Sequence, residues 1–221
     1  MDYGLQDLIR SMDWAFLRDA LTRVLAVLLC LTVHEACHGL AASALGDPTA
    51  REGRRLSLDP RRHIDWLGLA MMLTVGFGWA KPVPVDPRYF KRPKQGMALT
   101  ALAGPAANLL LALLAVALSR GMYAHVPYRG GGALLFDFLL YTLAPLSIGL
   151  GLFNLLPVPP LDGAKVLGAF LPDRIYFSSM RYERWGMLVL LALGWTGVTG
   201  DLISGAILRV YRCFFELFYR M

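Results

Sequence analysis

Several stretches of this chain are apolar for long enough to cross a lipid bilayer. A membrane-spanning helix needs about 20 mostly apolar residues, and Val24–Leu45, Gly96–Ser119 and Ala133–Leu156 each reach that length. Trp185–Leu208 is a further apolar run, broken by glycines, and Ile64–Ala80 is a shorter one. Hydrophobic residues make up 56% of the 221 residues, which excludes an ordinary soluble domain.

These runs predict an all-α polytopic membrane protein with about five transmembrane or re-entrant segments. They take up most of the chain, so we expect one intramembrane domain over residues 1–221. Its core should span residues 24–170, followed by C-terminal helices at 185–221. The last 13 residues, RVYRCFFELFYRM, have the pattern of an amphipathic helix that lies at the membrane interface.

The shorter run and the residues after it do not fit a simple crossing. Basic residues flank Ile64–Ala80 on both sides, whereas positively charged loops prefer the cytoplasmic side. Pro82, Pro84 and Pro87 then exclude a helix. We therefore predict a re-entrant segment with a short irregular or β-hairpin piece embedded in the membrane near residues 76–87. Irregular backbone at that depth must be buried in protein or line a wet cavity, so this piece should border a site.

The formal net charge of +6 is concentrated in the loops beside the apolar runs. There, basic residues set orientation and contact anionic lipid headgroups, so the expected partner of this charge is the lipid bilayer and not nucleic acid. The loops at 46–64 and 81–95 are strongly basic, and the loop between Ser119 and Ala133 carries only Arg120 and Arg129. The first two loops are expected to be cytoplasmic and the third external.

One apolar run contains the sequence His34-Glu35-Ala36-Cys37-His38. Side chains four residues apart project from one face of a helix, so His34 and His38 can bind one metal ion. Glu35 is placed to accept a proton from a water molecule that zinc has made more acidic. Ionisable residues inside a membrane are costly unless they are paired and are functional candidates by default.

A catalytic zinc site usually has three protein ligands, so a further ligand is needed at the depth of His38. The segment Asn154–Gly163 begins where the run from Ala133 returns to the cytoplasmic side, and its three prolines impose an irregular backbone. Asp162 is the predicted third ligand. Asn154 in the same segment offers a donor and an acceptor to an extended peptide.

HEACHG in one helix with NLLPVPPLDG far downstream resembles the site-2 protease family of intramembrane metalloproteases. AGPAAN at 103–108 and GWAKPVPVDP at 78–87 are similar to small bacterial and archaeal members. The resemblance covers about residues 24–170 and implies Zn²⁺ bound by His34, His38 and Asp162. It also implies Glu35 as the general base and Asn154 in contact with the substrate backbone, with Asn108 as a second substrate contact.

The same resemblance implies an endopeptidase that hydrolyses membrane-spanning protein substrates. We expect a multi-pass protein of a prokaryotic cell membrane with its active site toward the cytoplasm. Within this length we expect no PDZ or CBS domain.

Two other functions stay open at this point. One is a metal-binding membrane protein without catalysis, although Glu35 beside two ligands has little purpose there. The other is a metalloprotease class with a glutamate as third ligand, for which the chain offers only Glu52, Glu183 and Glu216.

Three more polar side chains fall near these segments. We predict that His63 and His125 are solvated or interfacial. Lys165 can pair with a carboxylate or reach lipid phosphate, and we favour lipid phosphate.

Overall fold

The computed structural model describes residues 13–75, 80–180, 185, 186, 190, 192 and 198–220, and every regular element within them is helical. The predicted all-α class is confirmed for these residues. In chain order the helices are α1 (Trp14–Ala44), α2 (Thr49–Glu52), α3 (Trp66–Val75), α4 (Pro93–Tyr123), α5 (Gly131–Asn154), α6 (Asp162–Gly168), α7 (Asp173–Met180) and α8 (Val198–Tyr219).

Three helices of the described chain, α1, α4 and α5, are long and apolar enough to cross a membrane. α1 begins well before its apolar run because Asp13 caps it, with a side chain that accepts from the backbone N–H groups of Ala15 and Phe16. α4 has Pro93 in its first turn, where the missing N–H leaves no hydrogen bond unmade. A side-chain cap on α1 and a proline in the first turn of α4 therefore begin both helices before the boundaries that hydropathy indicates.

The core lies where α1, α4 and α5 meet, and α8 packs against α4 and α5. Many of its side chains are small, so the helix backbones approach closely, as is typical of membrane helices. The buried residues of this cluster are Ala26, Cys30, Ala112, Ala115, Val116, Leu139, Leu140, Leu143, Ala144 and Ile148. The core holds α1 and α4 side by side. Its members on α1 are Ala26 and Cys30, and Cys30 lies one turn before His34.

The predicted run Ala133–Leu156 corresponds to α5, which has a π-helical section at Phe138–Leu143 between two α-helical parts. The helix ends at Asn154, before the proline-rich segment. Residues 155–161 form an irregular connection, as their prolines predict, and α6 then begins at Asp162.

The segment near residues 76–87 takes the irregular form of the two that the sequence allowed, and no hairpin is found over its described part. Residues 80–86 contain neither strand nor helix, and Pro87–Tyr89 forms a single 3-10 turn; residues 76–79 lie outside the described part of the chain. Pro82 and Pro84 have no N–H to donate to a strand ladder, which explains why no hairpin forms over the described part of this piece.

The C-terminal tail differs from the prediction. Residues 209–219 belong to α8, which packs along the bundle and is not a separate interfacial helix. Tyr219 forms a hydrogen bond of 3.0 Å with Ser119 of α4, and Arg120 donates to the Phe218 carbonyl. These polar contacts give the amphipathic helix a protein partner. Of the predicted run before it, Trp185–Leu208, residues 187–189, 191 and 193–197 lie outside the described residues, and residues 198–208 form the first part of α8.

We expect Leu140→Ala to destabilise the fold. Leu140 is 2% exposed within the core cluster, and a buried leucine truncated to alanine costs roughly 2–5 kcal/mol of unfolding free energy. The thermal midpoint in detergent micelles, followed by circular dichroism, should fall. Leu110→Ala on α4 is the control, since Leu110 is 55% exposed; equal midpoints for the two variants would contradict this account of the core.

Candidate metal centre

Three buried side chains converge at one point between α1 and α6. Nε2 of His34 and Nε2 of His38 each lie 3.1 Å from Oδ2 of Asp162, although Asp162 is 128 residues from His34 along the chain. The two rings are edge to face, with centroids 4.5 Å apart. Three donor atoms that a divalent metal accepts therefore point at one small volume.

The spacing of these atoms fits a zinc-sized ion. Ligands about 2.0–2.1 Å from a tetrahedral centre lie about 3.3 Å from one another, and both histidine-to-aspartate separations are 3.1 Å. Two imidazoles and a carboxylate are also a donor set that zinc uses in catalytic sites. The residues present therefore fit a zinc ion with one position left open.

The position of Asp162 follows from the chain around it. A Cβ on Gly163 would lie 2.2 Å from the Leu155 carbonyl oxygen and 2.5 Å from that of Leu156, so only glycine lets the start of α6 fold back on the end of α5. The proline-rich connection between them is what brings the carboxylate back to the depth of α1.

Glu35 lies beside the convergence point. Its Oε2 accepts a hydrogen bond of 2.9 Å from the backbone N–H of Val83, and the residue is 8% exposed. The ligand atoms of His34, Glu35 and His38 lie within 4.8 Å of one another. Residues 82–85 thus form a wall of the site and hold one oxygen of Glu35.

A cavity of about 270 Å³ opens onto these residues. Its wall includes Val83, Val85, Asn154, Pro160 and Lys165. The side-chain nitrogen of Asn154 donates to the Leu150 carbonyl at 3.0 Å. The cavity reaches the predicted metal ligands His34, His38 and Asp162.

Each of the two predicted histidine ligands has a hydrogen-bond partner at the ring nitrogen that faces away from Asp162. Nδ1 of His38 lies 2.7 Å from the Thr100 carbonyl oxygen, and Nδ1 of His34 lies 3.2 Å from Nδ2 of Asn108. A carbonyl oxygen only accepts, so Nδ1 of His38 donates and its Nε2 keeps a lone pair for a metal. Such partners orient ligands and are typical of zinc sites.

The structure brings His34, Glu35, His38 and Asp162 together and places Asn154 in the cavity wall. Asn108 lies elsewhere: it is fully buried behind His34 and is not part of the cavity wall. Among the later glutamates, Glu52 is exposed and Glu216 pairs with Arg220 on α8; Glu183 lies outside the described residues. Neither described glutamate approaches the two histidines as a ligand in place of Asp162.

The favoured interpretation of Lys165 is wrong, and its alternative, pairing with a carboxylate, is found. Its Nζ lies 3.6 Å from Oδ1 of Asp162, one turn earlier on α6. Asp162 is buried, and a cation within reach offsets part of the cost of burying its carboxylate. The three-residue spacing on a short helix is the signal that indicates this pair.

His63 also departs from the prediction, whereas His125 is exposed as expected. His63 is 0% exposed, its Nε2 bonds the Ser57 carbonyl at 2.7 Å, and its own carbonyl accepts from the Lys81 N–H. It supports the segment that forms the cavity wall. Nothing in the basic sequence around it signals this burial.

Comparison with known proteins adds to this geometry. The profile described as peptidase family M50 matches residues 132–196, a range that contains Asn154 and Asp162 and excludes α1. No solved structure matches the chain.

Similar proteins match a larger part of the chain than this range. YwhC of Bacillus subtilis is 36% identical over 175 residues, covering 77% of this chain and 78% of that protein. Rip2 of Mycolicibacterium smegmatis is 31% identical over 199 residues, covering 87% of this chain and 69% of that protein. MJ0392 of Methanocaldococcus jannaschii is 33% identical over 84 residues, covering 38% and 22%. The names of all three describe zinc metalloproteases.

Gly104→Ala should weaken metal binding. A Cβ at Gly104 would lie 2.5 Å from Cε1 and Nε2 of His38 and 2.8 Å from Cε1 of His34, so both rings must move. We expect affinity for a divalent transition metal to fall by on the order of tenfold, measured by competition with a chelator. Gly121→Ala on the same helix is the matched control, because its Cβ would meet nothing within 4 Å. Equal affinities would contradict the close packing of α4 against the rings.

Proposed function

The chain belongs to peptidase family M50, a family of zinc metalloproteases, and on this basis we propose that it is an intramembrane endopeptidase whose zinc is bound by His34, His38 and Asp162. The observation that carries this assignment is the position of Asp162 Oδ2, 3.1 Å from Nε2 of both histidines. Three such ligands leave the fourth position of a tetrahedral site for water or substrate.

In the proposed reaction Glu35 is the general base. When bound, zinc supplies Lewis acidity, which polarises a carbonyl and makes water more acidic. Glu35 accepts a proton from the attacking water as the water oxygen bonds to the peptide carbon. It then gives a proton to the leaving nitrogen as the C–N bond breaks. The Val83 N–H holds Oε2 of Glu35, which leaves Oε1 for the proton.

The proposed substrate is a membrane-spanning protein that presents an unwound stretch to the site. A transmembrane helix uses its own carbonyls in hydrogen bonds, so cleavage needs an extended segment. The wall at residues 81–85 is suited to pair with one. Lys81 and Val83 each precede a proline, which favours extended backbone, and Pro82 and Pro84 leave donors only at the odd-numbered positions.

Two of these donors are already engaged. The Lys81 N–H binds the His63 carbonyl and the Val83 N–H binds Glu35, whereas the Val85 N–H has no partner within the described residues. Val85 lines the cavity. We assign its N–H to pairing with the substrate backbone, and we assign Asn154, which also lines the cavity, to a second contact.

The proposed placement in the membrane follows the charges. α1, α4 and α5 cross the bilayer, α3 and the chain after it form a re-entrant segment, and the zinc site lies toward the cytoplasm. Support comes from the arginines that follow α1, namely Arg51, Arg54, Arg55, Arg61 and Arg62, and from the near absence of basic residues between α4 and α5. The related proteins come from bacteria and an archaeon, which agrees with a prokaryotic cell membrane.

Two substitutions separate metal binding from catalysis. Asp162→Ala should lose both zinc and cleavage, because it removes a ligand. Glu35→Gln should keep zinc and lose cleavage by at least on the order of 100-fold, since general-base catalysis contributes about that much. Zinc content and cleavage of a model transmembrane substrate are measured for both variants and the wild type. Full zinc in Asp162→Ala, or near-normal cleavage by Glu35→Gln, would overturn the assignment.

Val85→Pro tests the capture of substrate. The change removes one N–H donor from a segment that already contains prolines. Losing one hydrogen bond of about 1 kcal/mol should raise KM for the transmembrane substrate roughly fivefold. Zinc content should not change. Val85→Ala keeps the N–H and is the control for the lost side chain; an equal rise in KM for both variants would assign the effect to packing and not to the N–H.

A further inference from the structure

Asn108 is a buried polar side chain whose place in the structure does not fit a substrate contact. It is 0% exposed on α4, and its Nδ2 lies 3.2 Å from Nδ1 of His34. Its side-chain oxygen Oδ1 is also buried and has no hydrogen-bond partner among the described residues. Asn108 therefore touches a predicted zinc ligand and is separated from the cavity.

The position of the proton on the His34 ring determines whether Asn108 must donate or accept the hydrogen bond to Nδ1. With Nδ2 of Asn108 as donor, Nδ1 of His34 accepts, and the ring proton sits on Nε2 and faces Asp162. A histidine that coordinates a metal through Nε2 must offer a lone pair there, so its proton sits on Nδ1 and needs an acceptor. The neighbouring His38 has this arrangement, because its Nδ1 faces the Thr100 carbonyl.

We propose that Asn108 is a positioning residue for His34: its side-chain carbonyl accepts the Nδ1–H of His34 and so holds Nε2 ready for zinc. This rests on the proposed function, in which His34 is a zinc ligand. A half-turn of the amide about the Cβ–Cγ bond exchanges Oδ1 and Nδ2, which have nearly the same size. Asparagine can serve both tautomers of the ring, which neither leucine nor a carboxylate can do.

The surroundings of Asn108 hold its backbone and leave its amide free to turn. Ser147 of α5 donates to the backbone carbonyl of Asn108 at 2.8 Å. A Cβ on Gly151 would lie 3.4 Å from Cβ of Asn108, so α5 approaches this side chain closely. Oδ1 has no hydrogen-bond partner among the described residues, so the half-turn breaks only the contact with His34. After the half-turn, Nδ1 of His34 donates and Oδ1 of Asn108 accepts.

Two substitutions distinguish an acceptor from a donor or a substrate contact. Asn108→Leu keeps the approximate shape and removes the acceptor, so zinc affinity should fall about 10- to 100-fold. Asn108→Asp supplies an acceptor in the same place, and its zinc affinity should stay within about threefold of the wild type or exceed it. Affinity is measured on the full chain in detergent by competition with a chelator. Ser119→Ala, a buried hydroxyl elsewhere on α4, is the control and should leave the affinity unchanged.

Three results would overturn the proposal: unchanged zinc affinity in Asn108→Leu, an equal loss in Asn108→Asp and Asn108→Leu, or coordination of zinc through Nδ1 of His34. The last is read from the wild type alone, by NMR of protein labelled with ¹⁵N-histidine, so it applies even if a variant does not fold. The expected spectrum of the zinc-loaded wild type has the His34 proton on Nδ1. Failure of the proposed function itself would give different results. The wild type would then bind no zinc, or the His34→Ala variant would bind zinc normally.

Discussion

Asp162 and the two imidazoles of α1 can meet only if a loop of irregular backbone reaches the middle of a helical bundle, and most special features of the chain serve that meeting. The carboxylate lies 3.1 Å from Nε2 of both rings. Gly163 lets α6 fold against the end of α5, and Lys165 supports the other carboxylate oxygen. Buried charges need such partners, since a lone carboxylate in an apolar interior would lose its hydration without compensation.

α4 contributes as much to the site as α1, although it carries none of the proposed ligands. Thr100, Gly104 and Asn108 are spaced by four residues and so form one stripe of the helix. Thr100 binds His38, Gly104 makes room for both rings, and Asn108 contacts His34. The order along α4 is the reverse of the order along α1, as expected of antiparallel neighbours. A single helix face therefore sets the position of two rings on another.

The sequence predicted the helical class and the residues that meet at the site, because metal ligands and apolar runs have short-range patterns. His34 and His38 are four residues apart, and Asp162 follows a proline-rich segment whose irregular backbone is itself visible in the sequence. Of the two forms predicted near residues 76–87, irregular backbone is found over residues 80–86 and a hairpin is not, since prolines remove the donors that a strand ladder needs. The burial of His63 and the stripe on α4 depend on which helices pack together, and hydropathy alone does not contain that information.

The wall at residues 81–86 is held at both ends by hydrogen bonds, and this explains how an irregular segment can orient the proposed base. Asp47, which is 0% exposed, accepts from the Asp86 N–H at 2.8 Å. At the other end the Arg55 side chain donates to the Lys81 carbonyl, and the backbone carbonyl of His63 accepts from the Lys81 N–H. Between these anchors the Val83 N–H fixes one oxygen of Glu35. In the proposed reaction, a base fixed through one oxygen keeps the other aimed at the site, so the segment that is proposed to bind the substrate also sets the direction of proton transfer. Under that proposal Val83 couples substrate position to base orientation, because one short segment positions both reaction partners before any bond is broken.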